Sequence, residues 1–321
     1  MKKRPVYVED PVGSIVLFDS IAKAAEFIGV NESSIRRAIT RSGIINNRYK
    51  VSYKDIPIKI TDARSIILNK KVDNVNKSYV STHLVLPDMH IPFLDQVTVQ
   101  RILRMMQDIK IDGVHILGDF LDCTALSSHD LGKINKGIPL SQEYEIGNMY
   151  LDYFQQATHK DTIFSYIIGN HEERANRIIK MHEYSKLGSA LIPPVRALHL
   201  IDRGFTVAED YPNGVIKVGD IELIHGMYVS ANNARKHLDK VKGNVMYGHT
   251  HTFTDYTENG ITAYNIGHLV NINAPIFSYT DRFAKMNWQS GFALIRIVDD
   301  KTFVEKIKVV NSHFIVNGLY Y

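Results

Sequence analysis

Apolar and polar positions alternate with two different textures along the chain, and the change falls near residue 79. Before it, VGSIVLFDS predicts a short strand and a turn. Ser20 can then cap a helix through IAKAAEFIG, with Ala24, Ala25 and Ile28 on one face and Gly29 ending it. Asn31 or Ser33 can start a second helix, SSIRRAITRSG, closed by Gly43, and NRYKVSY alternates as a strand does. Two short helices joined by a tight glycine-containing turn, the second one basic, make a helix-turn-helix pattern. From about Pro57 the period weakens, and KKVDNVNKS is polar without any period. The expected layout is a helix-turn-helix module over 1–55, a linker over 56–78 and a larger domain over 79–321.

The second texture consists of short apolar runs that end in polar, glycine-containing clusters: THLVLPDMH, GVHILGDFLD, IFSYIIGNHEE, IELIHG and NVMYGHTH. Each is rich in β-formers and has the length of a buried strand. Helical stretches lie between them, including QVTVQRILRMMQDI and EERANRIIKMHEYSKL, and NMYLDYFQQ has helical spacing that suits a core face. Further strands are expected in GITAYNIGHL, SGFALIRIV and TFVEKIKVVN. Alternating elements of this kind predict a layered α/β domain with sheet at its centre.

Composition narrows this picture little. The 321 residues are 45% apolar and 22% charged, ordinary for a globular protein. No run of eighteen apolar residues predicts a membrane span, and the start MKKRPVYVEDP lacks the apolar region of a signal peptide. The single cysteine, Cys123, has no partner for an intrachain disulfide, which fits a reducing cytoplasm. Charge is informative only in its distribution. Net charge is +4, yet residues 33 to 54 carry Arg36, Arg37, Arg41, Arg48, Lys50 and Lys54 with no Asp or Glu. That segment is +6, so the remainder sums to −2, and the basicity is local.

The five apolar runs all end in residues able to bind metal. Asp88 and His90 follow the first, Asp119 and Asp122 the second, Asn170 and His171 the third, His225 the fourth, His249 and His251 the fifth. Sites in α/β folds form where loops leave strand ends on one edge of a sheet. Carboxylate, amide oxygen and imidazole together suit borderline divalent ions, with Mn first and Fe, Zn or Ni as alternatives. The thiolates of a structural zinc site are missing.

The ordered set D-x-H, G-D-x-x-D, G-N-H-E, H-G and G-H-x-H resembles that of the calcineurin-like metallophosphoesterase superfamily. It stands here as Asp88-Met89-His90, Gly118-Asp119-Phe120-Leu121-Asp122, Gly169-Asn170-His171-Glu172, His225-Gly226 and Gly248-His249-Thr250-His251. A single block recurs by chance in many proteins; five in order are far more specific. The resemblance implies a four-layer αββα sandwich, two mixed sheets flanked by helices, with two divalent metals at the sheet edge. Asp88, His90 and His251 would hold one metal and Asn170, His225 and His249 the other, with Asp119 bridging. A pair of cations orients a phosphoryl group and offsets the charge of its transition state. His171 would stand beside the leaving-group oxygen as proton donor or charge stabiliser, and Asp122 would hydrogen-bond that histidine. His129, His199, His268 and His313 are read as structural or surface residues, and Cys123 as a small buried one.

Substrate class is less constrained. Protein phosphatases of the same superfamily usually carry arginine directly after the second aspartate of G-D-x-x-D, where Cys123 stands here, so that branch is not expected. Arg174, in GNHEER, begins the following helix and can face a phosphate. The segment GSIVLFDSIAKAAEFIGVNESSIRRAITRSG resembles the small helix-turn-helix modules appended to homing endonucleases, in its strand followed by S-I-x-x-A-A and then S-S-I. On that resemblance Ser33, Ser34, Arg36, Arg37 and Arg41 would lie on or near a recognition helix, with Arg48 and Lys50 close to the DNA backbone. The expected activity is dinuclear metal-dependent phosphoester hydrolysis, foremost as a phosphodiesterase or nuclease acting on DNA. The alternative is a phosphatase or cyclic-nucleotide phosphodiesterase for a small molecule. A non-catalytic DNA-binding protein fits poorly with an intact ligand set. The modular layout suits a mobile-element or phage protein, acting in the cytoplasm of its host.

Overall fold

The computed structural model describes residues 6–9, 15–41, 43–46, 48–53, 79–127, 138–181, 192–279 and 285–321. The linker expected over 56–78 and the bystander His129 lie outside them. The chain divides into two compact units, Met1–Lys77 and Ser78–Tyr321.

In the first unit, strands β1 (Val6–Glu9), β2 (Ile15–Phe18), β3 (Ile44–Ile45) and β4 (Tyr49–Ser52) form one sheet in the order β2-β1-β4-β3. Helices α1 (Ile21–Ile28) and α2 (Glu32–Arg41) connect β2 to β3. Ser20 caps α1 by accepting the Lys23 N–H at 3.3 Å, and Gly29, at φ 75°, donates to the Ala25 and Glu26 carbonyls. Asn31 opens α2, its Oδ1 accepting the Ser34 N–H at 2.9 Å. Val6, Val8, Ala24, Ala25, Ile35, Ala38 and Val51 form the core. Central strand β1 is not evident in the sequence, because its alternation of Val6 and Val8 lasts only four residues. With Ile35 and Ala38 buried, α2 turns Arg36, Arg37 and Arg41 to solvent.

The second unit holds two sheets. One has six strands in the order β15-β14-β5-β6-β7-β8. In it β5 (Ser81–Leu86), β6 (Gly113–Ile116), β7 (Ile163–Ile167) and β8 (Phe205–Ala208) run parallel, and β14 (Gly291–Val298) and β15 (Lys301–Lys308) are antiparallel additions. The other has five, in the order β12-β13-β11-β10-β9. Its β10 (Ile221–Leu223), β11 (Asn244–Tyr247) and β13 (Ile261–Asn265) are parallel, with β9 (Ile216–Val218) and β12 (Asp255–Glu258) antiparallel at the edges.

Side-chain alternation assigns the layers. Val85, Leu117, Ile167, Leu223, Met246, Ala293 and Ile295 fill the space between the sheets. Their neighbours Leu84, Leu86, Val114 and Ile116 point the other way, onto α3 (Gln96–Asp108) and α4 (Leu140–Gln156) through Val99, Ile102, Leu151 and Phe154. Val245 and Tyr247 likewise back onto Ala234 and Leu238 of helix Asn233–Val241. The result is the expected four-layer αββα sandwich. Both faces of the parallel strands are buried, which is why the sequence shows continuous apolar runs there rather than alternation. Among the described residues no helix is long and apolar enough to cross a membrane.

Candidate metal centre

The C-terminal ends of β5, β6, β7, β10 and β11 converge, and the loops leaving them bring all seven expected ligands together. The loops interlock through the main chain. His90 N–H donates to the Asp119 carbonyl at 2.8 Å, Asp122 N–H to Ile91 at 3.0 Å, and Gly248 N–H to His225 at 3.0 Å. His90, Asp119, His249 and His251 sit at φ 47°, 46°, 65° and 59°, a region non-glycine residues seldom occupy. Such conformations cost on the order of 1–3 kcal/mol each and persist where the surroundings over-determine them. Two glycines allow the close approach. A Cβ on Gly169 would strike the Asp119 carboxylate and main chain, and one on Gly248 would strike the Asp88 carboxylate.

The ligand atoms form two linked groups. In one, Asp88 Oδ1 lies 3.5 Å from His251 Nε2, which lies 3.2 Å from His90 Nε2. In the other, His225 Nε2 is 2.9 Å from Asn170 Oδ1 and 3.2 Å from His249 Nδ1. Asp119 Oδ2 stands between them, 3.4 Å from His225 Nε2 and 3.8 Å from His90 Nε2. Asp88, His90, Asp119, His225 and His251 are all buried.

Hydrogen bonding shows that these atoms suit a cation. The Leu117 carbonyl lies 2.8 Å from His225 Nδ1, so that nitrogen carries a proton and Nε2 is the one that presents a lone pair when the ring is neutral. The Asp122 carboxylate lies 2.8 Å from His90 Nδ1 and fixes the same tautomer there. Each Nε2 therefore points a lone pair at other acceptors, an arrangement that a positive ion resolves. Donor separations of 2.9–3.5 Å also match ligands set about 2.0–2.2 Å from one ion. The surrounding carboxylates favour positive charge at this point, as a proton on His225 or as a metal ion in its place. Burial opposes protonation of His225, but Asp119, Asp88 and the Leu117 carbonyl outweigh it and raise its pKa to about 9. Burial and the neighbouring His225 lower His249 to about 4.

His171 lies at the rim. It stands at the start of α5 (Asn170–Lys180), with Nε2 3.8 Å from Asp119 Oδ2. Its Nδ1 makes its shortest contact, 2.7 Å, with the main-chain oxygen of Asp122; the Asp122 carboxylate is 3.4 Å away. The expected Asp122–His171 pairing is thus made chiefly by the Asp122 carbonyl, because the carboxylate is engaged by His90 and by the Thr124 hydroxyl at 2.6 Å. Burial opposes protonation of His171, but Asp119 and Asp122 together raise its pKa above the ordinary range. Arg174 reaches the same place, its guanidinium 3.1 Å from both His171 Nε2 and the Asp122 carbonyl.

Several supporting residues were not apparent as such. Glu172, inside the third block, is buried and accepts N–H groups from Asp119, Leu121 and Gly169 at 3.0–3.1 Å and the Tyr166 hydroxyl at 2.8 Å. It ties the second and third ligand loops together. Glu143, far along the chain, accepts the Cys123 and Thr124 N–H groups. His237 accepts the Met227 N–H at 3.0 Å and so steadies the loop after His225. His268, read as a bystander, is buried with its ring 5.2 Å from that of His251. Only Glu172 lay within a recognisable motif; the others are joined to the site by contacts between distant segments.

In the first unit, Arg36 pairs with Glu32 at 3.2 Å and Lys50 with Glu9 at 3.0 Å. Arg37, Arg41 and Arg48 are exposed and have no ion pair among the described residues.

No family model and no curated protein matches the sequence. Solved structures do overlap with it. Vacuolar protein sorting 29 from Cryptosporidium parvum matches at 15% identity, covering 76% of this chain and 98% of that one, with a TM-score of 0.43. Zinc-complexed Vps29 from Entamoeba histolytica matches at 16% identity over 73% and 96%, TM-score 0.41. Yfce, a phosphoesterase from E. coli, matches at 13% identity over 70% and 97%, TM-score 0.32. The layers and strand order given above define the fold independently of these overlaps.

Proposed function

We propose that the chain is a dinuclear metal-dependent phosphoester hydrolase, and that it acts on DNA as a phosphodiesterase or nuclease. The observation that carries the hydrolytic reading is the position of Asp119 Oδ2 between two lone-pair clusters, each made of imidazole and oxygen donors. Asp88, His90 and His251 would hold one ion and Asn170, His225 and His249 the other, with Asp119 shared. When bound, two divalent cations, Mn foremost, supply a water nucleophile at neutral pH and charge stabilisation for the phosphoryl group. The chain's own groups do the rest. Asp122 and Leu117 hold His90 and His225 in the tautomer that exposes Nε2. His171, its Nδ1 proton directed at the Asp122 carbonyl, presents Nε2 to a leaving-group oxygen and can give it a proton. Arg174 lies within reach of a phosphoryl oxygen beside it.

DNA as substrate is supported by the first unit, where two capped helices joined by three residues turn Arg37 and Arg41 outward without acidic partners among the described residues, as Arg48 does on the following loop. Exposed arginines of this kind suit phosphate contacts. The test is to incubate the full chain and Mn²⁺ with DNA, supercoiled plasmid and single-stranded, and, separately, with an aryl phosphodiester. Cleavage of both is expected, and replacing Arg37, Arg41 and Arg48 together by Ala is expected to weaken DNA cleavage selectively. Hydrolysis of the aryl ester with no DNA cleavage at any salt or metal concentration sinks the DNA reading.

A further inference from the structure

A cleft of about 650 Å³ opens directly beside the second ligand group, with His249 in its wall. That volume is in the range of small-ligand sites. Its lining combines two kinds of surface. Trp288, Phe253, Met286 and Val229 are apolar, and Met286 and Val229 are 70% and 75% exposed. Asn287 and Gln289 add side-chain amides that have no hydrogen bond among the described residues. The Ser230 hydroxyl, also in the lining, is buried and unpartnered.

The walls are held from behind. The Trp288 ring lies 4.2 Å from that of His251 and 5.6 Å from Phe277. Phe253 is packed over Gly291, where any Cβ would strike its ring, and the Lys306 ammonium lies 4.0 Å from its centroid. Aromatic side chains packed against their neighbours, with free amides beside them in the lining, match a flat heterocycle carrying donors and acceptors on its edge. A saturated chain would leave those polar groups unmatched. We infer that this cleft binds one unpaired nucleobase of the substrate, so that the ester cleaved belongs to a nucleotide or to single-stranded nucleic acid. The inference rests on the phosphoesterase reading above and specifies the organic group attached to the phosphate. A base in a duplex is covered by its neighbours and its pairing edge is used, so entry requires a single-stranded or extruded nucleotide.

Trp288 is the only tryptophan in the chain, so its fluorescence reports on the cleft without any turnover. Titration of the full chain with deoxyadenosine 5′-monophosphate is expected to give a saturable change in emission, and deoxyribose 5-phosphate none over the same range. The same response to both, or none to either, overturns the base site. A kinetic arm compares thymidine 5′-(4-nitrophenyl) phosphate with methyl 4-nitrophenyl phosphate, which release the same alcohol. The unaltered chain is expected to prefer the nucleoside ester in kcat/KM. In Trp288→Leu, and in the exposed double variant Met286→Ala/Asn287→Ala, that preference is expected to fall about 5- to 150-fold, the scale of a lost base stack. Equal kcat/KM for the two esters in the unaltered chain overturns the base site alone. Failure to hydrolyse either ester, with metal bound, overturns the hydrolase reading instead.

Discussion

The Glu172 carboxylate accepts the main-chain N–H of Asp119 at 3.0 Å, joining the residue that stands between the two candidate ligand groups to the helix that begins with Asn170 and His171. The same carboxylate also takes the N–H groups of Leu121 and Gly169 and the Tyr166 hydroxyl. An amide in its place has one acceptor fewer and turns an NH₂ toward other donors. Glu172→Gln is therefore expected to lower unfolding stability by about 1–3 kcal/mol for each N–H left unmatched. Chemical denaturation measures that loss, and elemental analysis is expected to show reduced metal content. Unchanged stability and metal content would contradict the role assigned to Glu172.

Asp119 and His171 separate ligand from acid. Asp119→Ala is expected to abolish turnover and lower metal content, since its carboxylate faces both groups. His171→Asn is expected to retain metal while turnover falls roughly 10²–10⁴-fold, the usual scale for a lost acid. A His171 variant that loses metal would place it among the ligands and overturn its assignment as acid.

His237 acts at longer range. Its Nε2 accepts the Met227 N–H at 3.0 Å while Nδ1 donates to the Asn233 carbonyl at 2.8 Å. His237→Ala leaves that N–H without an acceptor, and a stability loss of about 1–3 kcal/mol is expected. Weaker retention of the second metal should accompany it, read by chelator titration, because Met227 follows the His225-Gly226 turn.

A pH effect is expected from a histidine pair away from the candidate metal centre. His83 Nδ1 and His115 Nε2 lie 2.9 Å apart on neighbouring strands, and His115 Nδ1 lies 2.7 Å from Ser165 Oγ. Burial and the adjacent His83 lower the His115 pKa to about 3; burial also lowers His83. The folded state thus favours neutral rings, whereas the unfolded chain protonates near pH 6.5. Their contribution is fully present above pH 6.5 and is lost as pH falls toward 3. Denaturation at a series of pH values is expected to show that decline, and His115→Gln to flatten it. A slope unaffected by His115→Gln would assign the acid sensitivity elsewhere.

Salt dependence tests the basic helix. Each phosphate contact contributes about one unit to the slope of log affinity against log salt. Replacing Arg37, Arg41 and Arg48 by Ala in the full chain is expected to reduce that slope by about 2–3, measured by DNA binding across a salt series. An unchanged slope would show that the three side chains make no phosphate contact.

What the sequence determined by itself is local. Ser20, Gly29 and Asn31 mark helix ends because capping is decided within a few residues. The apolar runs identify buried strands, and the seven candidate ligand residues are legible because each leaves a strand end in a short polar turn. Strand β1 escaped notice because four alternating residues are too few to set a period. Tertiary structure alone decided which atoms face one another. It placed the Asp119 carboxylate between two clusters, gave the Asp122 carboxylate to His90 and its carbonyl to His171, and brought Glu143, His237 and Trp288 against the ligand loops. Those relations depend on how two sheets stack and where their strand ends meet, and no residue's neighbours along the chain specify that.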